Sequence, residues 1–220
     1  MSKHIKFGEE VEGYNVPVLN EREVRAAAGI LFVLMFVSIT QAATKGDFLL
    51  LKYATVIFLT DILIRVLINP RFAPTLILGR LIVGNQVPEY VGAPQKKFAW
   101  IIGIILALTM FTLLVVVNSY SPITGIICMI CLVFLFFESA FGICLGCKFY
   151  PLFFKEKPLY CPGEVCEVKP KQPIQKTSGL QLLIVLFFAA YIAMTVFLFQ
   201  DIFNEKPFSL FGPEHTEQAG

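Results

Sequence analysis

Two cysteines, Cys144 and Cys147, close a long apolar run, and Lys148 follows them directly. Thiols at this spacing are suited to thiol–disulfide exchange, to persulfide handling or to half of a soft-metal site. On a helix, a spacing of three residues turns both side chains to the same side of the axis. Gly142 and Gly146 let a reactant come close, and Lys148 favours the thiolate. The pattern favours functional thiols over a helix end with two buried cysteines.

A second cysteine pair, Cys161 and Cys166, follows in a polar segment with the turn-forming pair Pro162-Gly163 between them. The four cysteines form a C-x2-C-x13-C-x4-C pattern, and four thiolates could hold zinc in a tetrahedral site. The second spacing is wide for such a site. A relay, in which Cys161 and Cys166 pass electrons or sulfur to Cys144 and Cys147, is therefore slightly favoured over zinc.

Glu138 lies six residues before Cys144 within the same apolar run. Charged side chains at this depth are costly and usually face a bundle interior or a wet cavity. Two hypotheses stand for Glu138: a salt bridge to Arg65 across the bundle, or a proton acceptor that serves the thiols. Asp61 and Arg65 are four residues apart, so we predict that they pair along one helix face.

Cys128 and Cys131 lie inside the fourth apolar run. A stripe of small residues in a membrane helix usually packs against another helix, and free cysteine is a good small core residue. Packing is therefore the favoured interpretation of these two residues. The alternative is a sulfur pathway across the membrane that begins at them.

The composition indicates a polytopic membrane protein. Hydrophobic residues make up 56% of the 220 positions and charged residues only 15%, whereas soluble domains have about 45–50% and about 25% respectively. The net charge of +2 gives no reason to expect a nucleic-acid partner. The partner that the composition predicts is the lipid bilayer.

Five apolar runs are long enough to cross a hydrocarbon core, which takes roughly 20 helical residues. Since a lone strand cannot satisfy its backbone in lipid, we predict an all-α transmembrane bundle of four core spans plus a fifth C-terminal span. The runs cover residues 26–43, 48–68, 98–117, 124–144 and 180–199. A shorter apolar segment, 76–83, is expected to be either interfacial or re-entrant, or to pack under the bundle.

Positive charge alternates between the connections. The segments 1–25, 69–97 and 148–179 carry 14 Lys and Arg residues together, and the other connections and the tail carry two. Positive residues stay on the cytoplasmic side during insertion. The predicted organisation is a cytoplasmic segment 1–25, a four-span core 26–147, a cytoplasmic loop 148–179, a fifth span 180–199 and an external tail 200–220. The expected location is the inner, cytoplasmic membrane.

The string from Glu138 to Tyr150, the later Cys161-to-Cys166 motif and the turn at Asn69-Pro70-Arg71-Phe72 resemble a family of small integral membrane proteins. This family is catalogued as domain of unknown function 4395, and the resemblance covers about residues 15 to 170. It carries no activity over to this chain. Its association with thioredoxin-like and sulfurtransferase proteins implies thiol or sulfur chemistry and a partner of one of those kinds.

Three functional hypotheses follow. The first is a membrane thiol protein that relays electrons or sulfur through Cys144 and Cys147, with Cys161 and Cys166 as further candidate thiols and Glu138 as the proton acceptor. The second is a transporter or channel for a small sulfur species or a metal. The third is a structural subunit in which the four cysteines hold zinc. Whether the chain is an enzyme stays open at this point.

Overall fold

The computed structural model describes residues 7–12, 16–147 and 176–209, and it is a helical bundle, as the sequence predicts. The long helices are α1 (Glu21–Lys45), α2 (Leu49–Leu63), α4 (Ala93–Phe111), α5 (Pro122–Phe141) and α6 (Gly179–Asn204), with the shorter α3 (Pro74–Val83) between α2 and α4. Within the part of the chain that the structure describes, four helical stretches are long and apolar enough to cross a membrane: α1, α4 with its continuation to Val116, α5 and α6.

The second predicted span is built differently from the others. Helix α2 has 15 residues and continues directly into a five-residue π-helix, Ile64–Ile68. A 3-10 turn, Pro70–Phe72, follows, in which the Asn69 side chain accepts a hydrogen bond from the Arg71 N–H. The apolar run is helical as predicted, but α2 alone is shorter than a typical span.

The apolar segment 76–83 lies within α3, and α3 packs against α1. A Cβ atom on Gly79 would lie 2.6 Å from the Glu23 carbonyl oxygen, so the two helix backbones approach each other closely. Leu76, Ile77 and Val83 are buried. The structure therefore agrees with the packed alternative for this segment.

Two short strand pairs mark the two ends of the bundle. Strand β1 (Val18–Asn20) pairs antiparallel with β2 (Tyr90–Gly92), with Leu19 opposite Val91. This pair brings the starts of α1 and α4 together. At the other end β3 (Ser119–Tyr120) pairs in parallel with β4 (Phe208–Ser209).

Helix α6 is held at both of its ends. Near its start, the Gln181 side-chain amide donates to the Arg71 carbonyl, and at its far end Lys52 Nζ donates to the Glu205 carbonyl at 2.7 Å. Helix α6 therefore runs antiparallel to α2. Its faces are otherwise open, since only 6% of its apolar window is buried. Large apolar side chains exposed in this way suit contact with lipid.

Candidate functional site

The Cys144–Cys147 motif lies just beyond α5 and not within it. Gly142 has a left-handed φ of 66°, and its N–H donates to the Glu138 carbonyl while the Ile143 N–H donates to the Phe137 carbonyl. A glycine in this conformation ends a helix and satisfies its last carbonyls. The prediction that the fourth span continues to Cys144 is therefore wrong. The chain leaves the helix at Gly142, and residues 145–147 are helical again.

Cys144 and Cys147 are joined as a disulfide, with their Cα atoms 5.2 Å apart. From the sequence, these two residues are expected to be free thiols, so the bonded state differs from that expectation. The backbone N–H of Cys147 points at Cys144 Sγ over 3.2 Å, whereas Cys147 Sγ lies 3.6 Å from the Gln95 carbonyl oxygen. The two sulfur atoms thus have different electrostatic surroundings.

Glu138 belongs to a buried ion cluster with Lys96 and Glu21. Lys96 Nζ lies 2.6 Å from Glu138 Oε1, and it lies 3.0 and 2.8 Å from the two carboxylate oxygens of Glu21. The side chain of Lys96 is 1% exposed. Two carboxylates therefore share one ammonium group. The hypothesis that Glu138 bridges to Arg65 is wrong, because Glu138 pairs with Lys96 and Arg65 pairs with Asp61.

The local structure explains why these three groups meet. Asn20 caps α1 and Glu21 is its first residue, with its N–H donating to the Glu89 carbonyl beside β2. The β1–β2 pairing places Lys96, in the first turn of α4, next to Glu21. Glu138 arrives from the last turn of α5. One side chain thus comes from each of the three longest helices of the four-span core.

Asp61 and Arg65 form the predicted pair, with Arg65 Nε donating to Asp61 Oδ2 over 2.7 Å. Thr75, at the start of α3, donates its backbone N–H and its hydroxyl to the Asp61 carboxylate. The Arg65 guanidinium carbon lies 5.1 Å from the centre of the Trp100 ring. This cluster joins α2, α3 and α4 within the bundle.

Two cavities meet at the disulfide. The wide cavity, of about 360 Å³, is lined by both cysteines, Lys96, Glu21, Gln95 and the β2 residues Tyr90 and Val91. The narrow cavity, of about 50 Å³, extends among α1, α2, α4 and α5 and is lined by Cys144, Glu138, Cys131, Arg65 and Trp100 together with apolar side chains. Cys144 lines both cavities, whereas Cys147 lines only the wide one.

The structure describes two of the other four cysteines. Cys128 and Cys131 are free and buried, and Cys128 Sγ lies 4.0 Å from Met110 Sδ. Cys161 and Cys166 lie outside the described residues, so the four-cysteine relay and the four-cysteine zinc site stay predictions. Within ranges 7–12, 16–147 and 176–209, no three acidic, histidine or cysteine side chains form a group that could hold a metal.

Sequence reasoning missed Glu21 and Lys96 as members of the site. Lys96 was counted only as one of the positive residues in the connection 69–97. Glu21 lies in the polar segment before the first apolar run. A signal was present, because Glu138 needed a cationic partner and Lys96 begins the third apolar stretch on the same predicted side as the end of the fourth. Lys96 is 42 residues from Glu138 and 75 residues from Glu21 in sequence, so no local pattern connects them.

These features define a helical integral membrane protein with a disulfide at the end of one span, beside a buried carboxylate–ammonium cluster. The family described as domain of unknown function (DUF4395) matches residues 19–155. The chain therefore belongs to this family, as the resemblance had indicated, and the match includes the string from Glu138 to Tyr150 and the turn at Asn69 but ends before Cys161 and Cys166. No curated protein and no solved structure matches the chain at a significant level.

Proposed function

We propose that this chain is a membrane thiol–disulfide exchange protein and that Cys144 and Cys147 are its redox-active pair. The observation that carries the proposal is the position of the disulfide. It forms part of the wall of the wide cavity and stands beside the buried cluster of Lys96, Glu21 and Glu138. A disulfide that only stabilised the fold would not require an ion cluster of this kind next to it.

The exchange proceeds in two balanced steps. A substrate thiolate attacks Cys144 Sγ, a new S–S bond forms, and the Cys144–Cys147 bond breaks with the electron pair leaving on Cys147. A second substrate thiolate then attacks the substrate sulfur of the mixed disulfide and releases Cys144. The substrate leaves as a disulfide, the protein holds two thiols, and two electrons have passed to the protein. The reverse sequence oxidises the protein again.

The surroundings of the two sulfurs assign their roles. The Cys147 N–H directed at Cys144 Sγ stabilises negative charge there, so Cys144 is the thiolate of the reduced form. The Gln95 carbonyl oxygen suits an S–H donor, so Cys147 is the protonated partner. Glu138 lines the narrow cavity together with Cys144 and serves as the proton acceptor in this proposal.

The partner of the site is a thioredoxin-like or sulfurtransferase protein on the cytoplasmic face, and Cys161 and Cys166 are a second dithiol that exchanges with the first. The charge distribution supports this orientation. The ion cluster and the disulfide lie at the same end of the bundle as the β1–β2 pair, and the connections expected at this end carry nearly all of the Lys and Arg residues.

The proposal is tested by the reactivity of each sulfur alone. Full-length Cys147→Ser and Cys144→Ser proteins in lipid nanodiscs are reduced, mixed with a small aromatic disulfide and analysed peptide by peptide. Because one N–H···S hydrogen bond to a charged sulfur contributes roughly 1.5 kcal/mol, we expect Cys144 to react about tenfold faster than Cys147. Cys128→Ser, added to each of the two variants, is the matched control and leaves both rates unchanged. Equal rates, or no reaction at either sulfur, would contradict the proposal.

A further inference from the structure

The narrow cavity offers Cys144 a second approach, separate from the wide one. Its walls are mostly apolar and include Gly103, Ile62 and Leu106, with Glu138 as its acidic member. Neither Gly103 nor Ile62 lines the wide cavity. Cys144 thus lines a broad cavity that contains charged side chains and a small cavity whose walls are mostly apolar.

The size of the narrow cavity restricts what can use that approach. About 50 Å³ corresponds to about three to five water molecules, since one water takes roughly 10–15 Å³ on this measure. A thiol of amino-acid size or larger does not fit. A charged species is also disfavoured, because Arg65, the cation in the lining, is already paired with Asp61, and burying an unpaired ion among the remaining apolar groups is costly. The remaining class of sulfur reactant is a small neutral hydride.

We infer that the narrow cavity admits hydrogen sulfide to Cys144 and that the product is a Cys144 persulfide. This inference rests on the proposed function and names a second substrate class for the same disulfide. The wide cavity serves thiols of larger molecules, and the narrow cavity serves inorganic sulfide. Cys144 can then hold either a mixed disulfide or a sulfane sulfur.

The reaction balances without another redox reagent. Hydrogen sulfide gives a proton to the Glu138 carboxylate, and the hydrosulfide sulfur forms a bond to Cys144 Sγ. The Cys144–Cys147 bond breaks, and its electron pair leaves on Cys147, which takes up the proton. One disulfide and one hydrogen sulfide thus become one persulfide and one thiol. Lys96 from α4, which also pairs with Glu21 from α1, holds the Glu138 carboxylate in the wall of the cavity that Cys144 also lines.

The test compares two reagents on one set of full-length proteins in nanodiscs. Sodium sulfide at neutral pH probes the narrow cavity, dithiothreitol probes the wide one, and mass spectrometry follows the Cys144 peptide. Gly103→Val fills the narrow cavity, since a Cβ atom there already meets the end of the Ile62 side chain at 2.6 Å. Gly125→Val is the control, because a Cβ atom at Gly125 meets nothing within 4 Å.

Gly103→Val is expected to slow persulfide formation on the order of tenfold, because the added methyl groups occupy the narrow cavity, and to change the dithiothreitol rate less than twofold. Sulfide that reacts equally fast with Gly103→Val, or does not react with the unmodified chain, overturns the inference while the dithiothreitol reaction still supports the proposed function. A disulfide inert to both reagents overturns both. If Gly103→Val does not fold, Gly103→Ala and Leu106→Phe replace it in the same comparison.

Discussion

Lys96 is the residue on which the site's electrostatics depend. Its ammonium group is the shared partner of Glu21 and Glu138, and the side chain is almost fully buried. Removal of one partner from a buried ion group leaves uncompensated charge, which costs about 3 to 5 kcal/mol.

We therefore expect Lys96→Met to lower the unfolding temperature of the protein in detergent and to slow disulfide exchange. Lys97→Met is the matched control. Lys97 is the next residue along and is half-buried, and its Nζ lies 5.1 Å from the centre of the Phe7 ring. Thermal unfolding followed by near-UV circular dichroism gives the measurement. Equal destabilisation by the two variants would show that the ion cluster is not needed.

Gly142 positions the disulfide by ending α5. A side chain at a left-handed φ costs about 1 kcal/mol, and a Cβ atom on Gly142 would also approach the Arg25 side chain at 3.3 Å. Arg25 donates to the Ala140 carbonyl at the same helix end. We expect Gly142→Ala to destabilise the protein and to alter the exchange rate of Cys144.

Gly46→Ala is the control that distinguishes backbone strain at a left-handed φ from contact of the new side chain with its neighbours. Gly46 also has a left-handed φ, of 63°, and a Cβ atom there would meet nothing within 4 Å. It ends α1 at the opposite end of the bundle. Both variants should lose similar stability in denaturant titration, but only Gly142→Ala should change the exchange rate. A changed rate in Gly46→Ala as well would mean that general destabilisation accounts for the effect.

At the scale of elements, the contact between α1 and α3 holds the first turn of α1 in place. Arg80 on α3 pairs with Glu23 on α1 at 3.0 Å, and Asn20 donates to the same carboxylate. Since Glu21 lies between Asn20 and Glu23, this contact also fixes the position of Glu21 in the ion cluster.

Gly79→Ala is expected to separate α1 from α3. The new Cβ atom would lie 2.6 Å from the Glu23 carbonyl oxygen, which is backbone and cannot move aside alone. An overpacked contact of this kind costs about 1–3 kcal/mol. Gly29→Ala is the control, because its Cβ atom would lie at an ordinary 3.7 Å from Ser139. Unfolding midpoints that do not differ between the two variants would contradict the close packing of the helices.

The elements also show what the sequence can predict. Hydropathy predicts the membrane spans, because a helix that crosses the hydrocarbon core needs about 20 apolar residues. The Asp61–Arg65 pair is predictable because two residues four apart on one helix lie on the same face. The Lys96 contacts with Glu21 and Glu138 depend on how α1, α4 and α5 pack together, and no local sequence pattern predicts that packing. The end of α5 is an intermediate case. Gly142 indicates a helix end, whereas the apolar run that continues past it indicates a longer helix.

At the scale of the whole molecule, the connections divide between two ends. The β1–β2 pair, the ion cluster and the disulfide lie at one end, whereas Lys52 and the end of α6 lie at the other. In the proposed orientation, which rests on the distribution of Lys and Arg, the disulfide end faces the cytoplasm.

Single-cysteine labelling tests that orientation. Asn85 and Thr44 are both exposed and lie at opposite ends, Asn85 in the connection from α3 to β2 and Thr44 near the end of α1. In a chain whose native cysteines are replaced, a membrane-impermeant maleimide should label Asn85→Cys from the cytoplasmic face only and Thr44→Cys from the opposite face only. The reverse pattern would place the disulfide outside the cell.

The most direct test of the redox role is the state of Cys144 and Cys147 in native membranes. Thiols are trapped by rapid acid quenching, alkylated before and after reduction, and quantified on the peptide that carries both residues. A redox-active pair should be present in both states and should shift fully toward the thiol form with a reductant and back with an oxidant. Free Cys128 and Cys131, which are buried, should not shift. A Cys144–Cys147 pair that stays in one state under both treatments would contradict the account.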